Sequence, residues 1–445
     1  MRMRKLTFTL CLCLLCLGLR AQTADRLPLA KCAYLYFVSG QGESLRAMLS
    51  DEMQAALPAE ALGGMYQQLV MQFGPLQSTG DWHQVEAEGL AVCFCDLAFE
   101  KYTLRFQTAF DGDGRIAGLF VKPAPKPAVQ KPAVFDSLKM EERDTVVVCD
   151  GFRLPATLTL PRRAVEVGRR VPCVVLVHGS GPQDRDETIG PNHPFRDLAW
   201  GLAGRGIATL RYDKRTYVYK GNSVPEGRQL DLDVETADDA VAAVALAQSL
   251  PGVDADSIYL LGHSQGGMLA PRIAARASRL AGIILLAAPA RPLEDLLLEQ
   301  VTYLNSLAPS EKGRRQVADL QRRVENVKRL GTSAFCDTIP FPFDAPRSYW
   351  ADIIACRPVE DAARLTLPLL VLQAERDYQV TMQDFALWRA ALLKRRNASF
   401  KSYPKLNHLL QEGTGKATPD EYQQPSSVPA YVLDDLARFV RTGRL

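Results

Sequence analysis

Hydrophobic residues in the second part of the chain occur in short continuous runs that alternate with segments of helical period. Seven of these runs have the length and composition of strands: 145–149, 156–160, 173–177, 207–210, 257–261, 283–287 and 369–373. Helical segments such as 195–204 and 234–250 separate them. Continuous apolar strands that alternate with helices are typical of a mostly parallel sheet covered by helices on both faces. The pattern therefore predicts an α/β fold over residues 141–445.

One interval departs from this alternation. Residues 291–365 are largely helical and rich in Arg and Glu, and they precede the strand run at 369–373. An insertion of this kind, placed between two strands of a sheet, predicts a helical cap or lid.

The first part of the chain has a different pattern. Helical material at 43–53 and 62–73 precedes strand-like runs, in which Tyr102, Leu104, Phe106, Thr108 and Phe110 alternate with polar residues. The turn sequence D-G-D-G at 111–114 leads into a further strand at 115–121. This predicts a small α+β domain over residues 25–121. A proline-rich linker over residues 122–140 separates it from the larger domain, because four prolines between 121 and 132 disfavour a helix or a strand.

The N-terminus has the pattern of a secretory signal over residues 1–21. A basic start precedes an apolar run at 6–19, and small or polar residues follow around Ala21. The run is too short to span a bilayer comfortably, and no other stretch is long and apolar enough to do so. We therefore expect an exported protein, periplasmic or extracellular, with no membrane span.

Composition and charge exclude several classes of protein. Of the 445 residues, 47% are apolar and 23% are charged, a balance typical of a globular protein rather than a disordered or fibrous one. Four of the 53 basic residues and none of the 50 acidic ones precede Ala21, which leaves 49 basic against 50 acidic residues and a net charge of −1. Such a chain lacks the basic excess of a dedicated nucleic-acid binder. We therefore expect no nucleic-acid partner.

Seven of the ten cysteines follow the predicted signal, so at least one has no partner within the chain. Cys93 and Cys95 are two residues apart on a predicted strand and therefore point to the same side. We interpret them as core residues. No second cysteine or histidine pair accompanies them, so no metal site is expected.

The strongest catalytic signal is the sequence G-H-S-Q-G at 262–266. It directly follows the apolar strand at 257–261 and precedes a helical segment at 268–276. A strand, a sharp turn and a helix are what a nucleophile elbow requires, because the serine must be lifted clear of the sheet. Ser264 is therefore the predicted nucleophile.

A serine nucleophile needs a base, and the base needs an acid to orient it. In folds with this elbow, the chain order is serine, acid, histidine. His408 is the only histidine after Ser264, so we predict it as the base. Asp377 follows the strand run at 369–373 and is the predicted acid, with Glu375 as the alternative. Asp384 lies within the next predicted helix and is a poorer candidate.

The oxyanion of acyl transfer is stabilised by backbone N–H groups. We expect one donor at Gln265, which follows the nucleophile, and the other in the loop H-G-S-G at 178–181. Ser180 is the first candidate and Gly181 the second, because the register of this loop does not follow from the sequence. His178 and His263 are expected to shape the loops around the site.

From residue 145 to the C-terminus, the chain resembles serine hydrolases of the α/β-hydrolase superfamily, in their exported bacterial esterase branch. Besides the elbow, the similarity rests on H-G-S-G-P-Q-D-R-D-E-T-I-G-P-N at 178–192, P-F-R-D-L-A-W at 194–200, L-R-Y-D-K-R-T at 210–216 and L-N-H-L-L at 406–410. The N-terminal domain resembles a small domain of unknown function that is often attached to these hydrolases. The resemblance implies Ser264, Asp377 and His408 as nucleophile, acid and base.

The leading hypothesis is an exported enzyme that cleaves carboxylic esters through an acyl-enzyme, without cofactor or metal. A serine peptidase with the same triad is the first alternative. A binding protein on an inactive hydrolase fold is the second. The partner in the first two hypotheses is a small ester or a peptide, and the sequence leaves the oligomeric state open.

Overall fold

A computed structural model describes residues 25–87, 90–100, 102–124 and 139–445. These residues form two compact units, one that ends at residue 124 and one that begins at residue 139. The predicted signal at 1–21 and most of the predicted linker lie outside the described residues.

The N-terminal unit combines four helices with one antiparallel sheet. The helices are α1 (Leu27–Val38), α2 (Gly42–Ala47), α3 (Asp51–Ala56) and α4 (Ala59–Phe73). The strands are β1 (Leu76–Thr79), β2 (His83–Ala87), β3 (Leu90–Phe99), β4 (Thr103–Phe110) and β5 (Ile116–Pro123). The sheet has the order β1-β3-β4-β5, and β2 also pairs with β3. The α+β class expected for this region is confirmed.

Buried and more exposed side chains alternate along most of β4, and the buried ones contribute to the core of this unit. Leu104, Phe106 and Phe110 are buried, and Cys93 and Cys95 on β3 are fully buried beside them, as expected for core residues. The helical material expected at 43–53 forms two short helices, α2 and α3. They are separate because the backbone of Ser50 is extended and its side chain accepts a hydrogen bond from the N–H of Met53 at the start of α3.

The second unit is built on an eight-stranded sheet. Its strands are β6 (Met140–Cys149), β7 (Phe152–Pro161), β8 (Val171–Val177), β9 (Ala208–Tyr212), β10 (Val253–His263), β11 (Leu280–Leu286), β12 (Leu369–Ala374) and β13 (Ala398–Tyr403). Their order is β13-β12-β11-β10-β8-β9-β7-β6. The six strands from β13 to β9 run parallel, whereas β7 and β6 are antiparallel to their neighbours. All seven predicted runs form strands, and β13 is an additional strand that the sequence did not reveal.

Helices cover both faces of this sheet. They are α5 (Arg162–Glu166), α6 (Pro194–Ala203), α7 (Arg215–Tyr219), α8 (Asp238–Ser249), α9 (Gln265–Arg276), α14 (Met382–Leu392) and α15 (Ala430–Thr442), with α10–α13 in the insertion. Successive residues of β8 show the two faces. Cys173 and Val175 pack with α8 and α9, whereas Val174 and Leu176 pack with α6 and α15. The predicted α/β fold, a mostly parallel sheet between two helical layers, is confirmed.

The segment between β11 and β12 forms the predicted helical insertion. It contains α10 (Leu293–Leu307), α11 (Glu311–Val327), α12 (Arg347–Ala355) and α13 (Pro358–Arg364). Leu297, Val327, Trp350 and Ile353 join the core on the α8 and α9 side of the sheet. The insertion is therefore packed against the same side of the sheet as α8 and α9.

Within the described residues, no helix combines the length and the apolarity needed to cross a membrane. The seven cysteines in those ranges are all free thiols. No cluster of His, Cys, Asp and Glu in them has the arrangement of a metal site.

Candidate active site

The loop between β10 and α9 is a strained turn with Ser264 at its tip. Ser264 has φ 53° and ψ −121°, which lies in the left-handed half of backbone space, and α9 begins at the next residue. Glycine is required on both sides. A Cβ on Gly262 would lie 2.1 Å from the carbonyl oxygen of Gly266, and one on Gly266 would lie 2.3 Å from that of Val177. The structure thus gives the G-x-S-x-G sequence the geometry of a nucleophile elbow.

Replacing Gly266 by alanine is expected to destabilise the protein, because backbone carbonyl oxygens cannot move aside for the added methyl group. We expect the free energy of unfolding to fall by about 2 kcal/mol. Gly221→Ala is the matched control, since its added Cβ would meet no atom within 4 Å, and we expect a change below about 0.5 kcal/mol. Denaturant titration of both variants measures this, and equal stability of the two would contradict the close packing at the elbow.

His408 and Asp377 form a buried pair next to the elbow. Nδ1 of His408 lies 2.6 Å from Oδ2 of Asp377, and both side chains are buried. The other carboxylate oxygen of Asp377 accepts hydrogen bonds from the N–H groups of Gln379 at 2.7 Å and Val380 at 3.1 Å. These donors fix the carboxylate, so Oδ2 faces the imidazole.

The two other acids that the sequence offered have different partners. Glu375 accepts a hydrogen bond from the hydroxyl of Ser402 on the surface. Asp384 accepts hydrogen bonds from the N–H groups of Ala290 and Arg291. Of the three candidates, Asp377 is therefore the one that contacts His408.

The loop that carries His408 lies against the elbow. Nε2 of His263, the residue before Ser264, is 3.0 Å from the carbonyl oxygen of His408. The two imidazole rings are 4.6 Å apart between their centroids. Because His263 directly precedes Ser264, this contact places the loop of the predicted base against the turn that carries the predicted nucleophile.

The loop after β8 lies on the other side of Ser264. A Cβ on Gly179 would lie 3.7 Å from Oγ of Ser264, so this loop passes directly over the hydroxyl. The N–H of Gly181 donates to Oε1 of Glu235 at 3.0 Å and is therefore occupied. Among the residues that the structure describes, none accepts a hydrogen bond from the N–H of Ser180. The geometry favours Ser180 over Gly181 as an oxyanion donor.

Gln265, the other predicted oxyanion donor, is the first residue of α9. Its backbone N–H is therefore one of those that have no partner within the helix.

His263 also forms a buried pair with an acid of the same loop. Its Nδ1 lies 2.9 Å from Oε2 of Glu187, whose other oxygen accepts the N–H of Gly179 at 2.9 Å. Burial opposes the imidazolium, but the Glu187 carboxylate and the His408 carbonyl outweigh it and raise the pKa of His263. Burial lowers the pKa of His178 to about 4, so that histidine is neutral. Both histidines hold loops, as the sequence suggested.

A cavity of about 560 Å³ opens beside Ser264 under the insertion. Ser180, Gln265 and Ser264 lie at one end of it. The rest of the wall is mostly apolar and includes Leu293, Leu296, Leu297, Phe343, Trp350 and Ile353. Three aromatic residues of the insertion, Phe343, Tyr349 and Trp350, line the cavity. The cavity has the size and lining typical of a small-molecule site.

Three polar residues beside this cavity, Lys214, Glu235 and Tyr349, had no catalytic role assigned to them from the sequence. All three contact one another or the segments that flank Ser264. One signal was available, since Lys214 lies two residues after the carboxyl end of β9, and open α/β sheets place their ligands at the carboxyl ends of their strands.

Two family models match separate parts of the chain. Residues 174–422 match the model of the "Alpha/beta hydrolase family", and residues 30–119 match "Protein of unknown function (DUF3887)". The chain is 35% identical to Esterase EstD of Thermotoga maritima over 408 residues, which cover 91% of this chain and 93% of that protein.

The solved structures that match part of the chain include Est1E from Butyrivibrio proteoclasticus, at 18% identity and a TM-score of 0.44 over 67% of this chain and 98% of that one. The Pyrococcus furiosus esterase Pf2001 matches at 13% identity and a TM-score of 0.44, over 72% of this chain and 98% of that one. The match to the family model covers more than half of the chain, and the match to EstD spans nearly all of both proteins. The chain therefore belongs to the alpha/beta hydrolase family.

Proposed function

We propose that this protein is an exported serine carboxylesterase with Ser264 as nucleophile, His408 as base and Asp377 as the acid that orients it. The observation that carries the proposal is the buried contact of 2.6 Å between His408 and Asp377, next to a serine held in a strained turn. The similarity over nearly the whole chain to EstD, an esterase, supports ester hydrolysis as the reaction. Export rests on the signal-like sequence at residues 1–21.

In the first half of the proposed reaction, the Asp377 carboxylate accepts the hydrogen bond from Nδ1–H of His408. Nε2 then carries the free lone pair and takes the proton of Ser264 as Oγ attacks the ester carbonyl. The N–H groups of Gln265 and Ser180 stabilise the oxyanion. When the tetrahedral intermediate collapses, the proton on Nε2 passes to the leaving alcohol, and an acyl-enzyme remains on Oγ.

In the second half, His408 removes a proton from a water molecule, whose oxygen attacks the acyl carbon. Collapse of the second intermediate releases the carboxylic acid and returns the proton to Oγ of Ser264. The proposed steps use these side chains and water. The apolar wall of the cavity supports a neutral ester with an apolar acyl group as the substrate.

A fluorophosphonate probe tests the nucleophile without knowledge of the natural substrate, because it reacts with an activated serine. We expect the wild type to be labelled and Ser264→Ala to lose the label. Ser180→Ala is the matched control in the same cavity, since the proposal uses only its backbone N–H, and it should keep the label. Labelling that persists in Ser264→Ala would refute the assignment.

Cleavage of an ester and of an amide with the same acyl group then distinguishes an esterase from a peptidase. Faster cleavage of the amide would overturn the esterase proposal.

A further inference from the structure

The peptide group between Gly179 and Ser180 is held by a buried lysine. Its carbonyl oxygen accepts a hydrogen bond from Nζ of Lys214 at 2.9 Å, and its N–H is the one that the proposed function assigns to the oxyanion. In a trans peptide, the C=O and N–H bonds are coplanar and point in opposite directions. By binding the carbonyl oxygen of Gly179, Lys214 therefore fixes the direction in which the Ser180 N–H of the same peptide group points.

The next peptide group is held by the acid that pairs with this lysine. Nζ of Lys214 also donates to Oε1 of Glu235 at 2.9 Å, and the same oxygen accepts the N–H of Gly181 at 3.0 Å. Lys214 is 2% exposed and Glu235 is 5% exposed. One buried ion pair thus holds the two consecutive peptide groups on either side of Ser180.

The same carboxylate is connected to the second oxyanion donor through the insertion. Oε2 of Glu235 accepts a hydrogen bond from the hydroxyl of Tyr349 on α12 at 2.7 Å. That hydroxyl accepts a hydrogen bond from the side-chain amide of Gln265 at 2.8 Å. Burial raises the pKa of Tyr349 well above its ordinary value, so the hydroxyl keeps the proton that it donates. Glu235 is therefore linked to both residues whose N–H groups face the developing charge.

We propose that Lys214, Glu235 and Tyr349 are positioning residues that orient the two oxyanion donors, so that the helical insertion contributes to catalysis through the hydroxyl of Tyr349. The inference rests on the proposed function, since it requires acyl transfer at Ser264. Donors fixed in advance stabilise a developing oxyanion without reorganisation during the reaction. An ammonium group on the Gly179 carbonyl also polarises the peptide and strengthens the hydrogen bond that its N–H donates.

The double variant Lys214→Met/Glu235→Met tests this role without leaving an unpaired buried charge. Buried ion pairs can often be replaced by apolar residues of similar volume without loss of stability, so we expect the double variant to fold. We expect kcat for a p-nitrophenyl ester to fall about 100-fold, as for the loss of one oxyanion donor, with little change in KM. The affinity for a trifluoromethyl ketone, which forms a tetrahedral adduct, should fall by a similar factor.

The matched control is the buried ion pair of the next residue. Arg215 pairs with Asp239, and their side chains are 0% and 1% exposed, but neither contacts residues 178–181 or Gln265 through a hydrogen bond or ion pair that the structure records. Arg215→Met/Asp239→Met should therefore keep kcat within about twofold of the wild type. Tyr349→Phe is a milder probe that keeps the aromatic ring in the cavity wall, and it should lower kcat about tenfold at unchanged KM.

The outcomes separate this inference from the proposed function. Full activity in Ser264→Ala would overturn both. An inactive Ser264→Ala together with wild-type kcat in Lys214→Met/Glu235→Met and Tyr349→Phe would overturn the positioning role alone. An equal loss of kcat in the Arg215 control would assign the effect to general disturbance of the fold and would also overturn it. If the double variant does not fold, Tyr349→Phe decides the question.

Discussion

Asp377→Asn is expected to lower kcat about 10⁴-fold while the protein remains folded. The N–H groups of Gln379 and Val380 both donate to Oδ1, so the asparagine keeps its carbonyl oxygen there. Its NH₂ group then faces Nδ1 of His408, which must accept a hydrogen bond instead of donating one. The proton moves to Nε2, and the imidazole has no lone pair for the proton of Ser264.

Glu375→Gln is the matched control, because it makes the same change of charge two residues away. Within the part of the chain that the structure describes, its carboxylate has one recorded partner, the Ser402 hydroxyl at the surface, so we expect kcat within about twofold of the wild type. Ester hydrolysis and far-ultraviolet circular dichroism of both variants measure activity and folding. A folded Asp377→Asn with near wild-type kcat, or a large loss in Glu375→Gln, would show that the acid is misassigned.

The fold and the three proposed catalytic residues were accessible from the sequence because they depend on local signals and chain order. The strands are continuous apolar runs, and the elbow lies between a strand and a helix. Few histidines are present, so order alone selected His408. By contrast, β13 is only half-buried along most of its length, and its mixed polarity gave no clear strand signal.

The roles of Lys214, Glu235 and Tyr349 were not accessible in this way, because they depend on contacts between distant segments. Tyr349 lies 114 positions from Glu235 along the chain, and no spacing rule relates the two. The choice between Ser180 and Gly181 required the position of Glu235, whose carboxylate occupies the N–H of Gly181. Sequence patterns predict which elements form, whereas the register of a loop is set by what packs against it.

The pair of His263 and Glu187 makes the stability of the protein depend on pH. Nε2 of His263 lies 3.0 Å from the carbonyl oxygen of His408, which only accepts hydrogen bonds, and Nδ1 lies 2.9 Å from a carboxylate oxygen of Glu187, so both surroundings favour the protonated imidazolium. Burial opposes both charges, but the attraction of the pair raises the pKa of His263 and lowers that of Glu187. Asp377 also favours the imidazolium, and neutral His178 adds no charge.

The signs of these shifts define a pH window. Because the pKa of His263 is raised by folding, this histidine stabilises the folded protein fully at pH values below its ordinary pKa of 6.5. The stabilisation is lost as the pH rises through the raised pKa. Because the pKa of Glu187 is lowered by folding, this glutamate stabilises the folded protein fully at pH values above its ordinary pKa of 4.5. The stabilisation is lost as the pH falls through the lowered pKa. The pair should therefore contribute most between these two ordinary values, and the wild type should lose stability as the pH rises beyond 6.5.

Glu187→Gln is expected to lower the free energy of unfolding by about 3 kcal/mol at pH 6, because it leaves His263 buried without its counter-ion. The loss should shrink as the pH rises, since a neutral His263 does not need the carboxylate. Glu360→Gln removes a carboxylate from an exposed ion pair with Arg364 and should change stability by less than about 0.5 kcal/mol at every pH. Denaturant titrations of all three proteins from pH 5 to pH 8 measure both effects. A loss in Glu187→Gln that is the same at every pH would mean that His263 is neutral in the folded protein and that Glu187 acts through Gly179 alone.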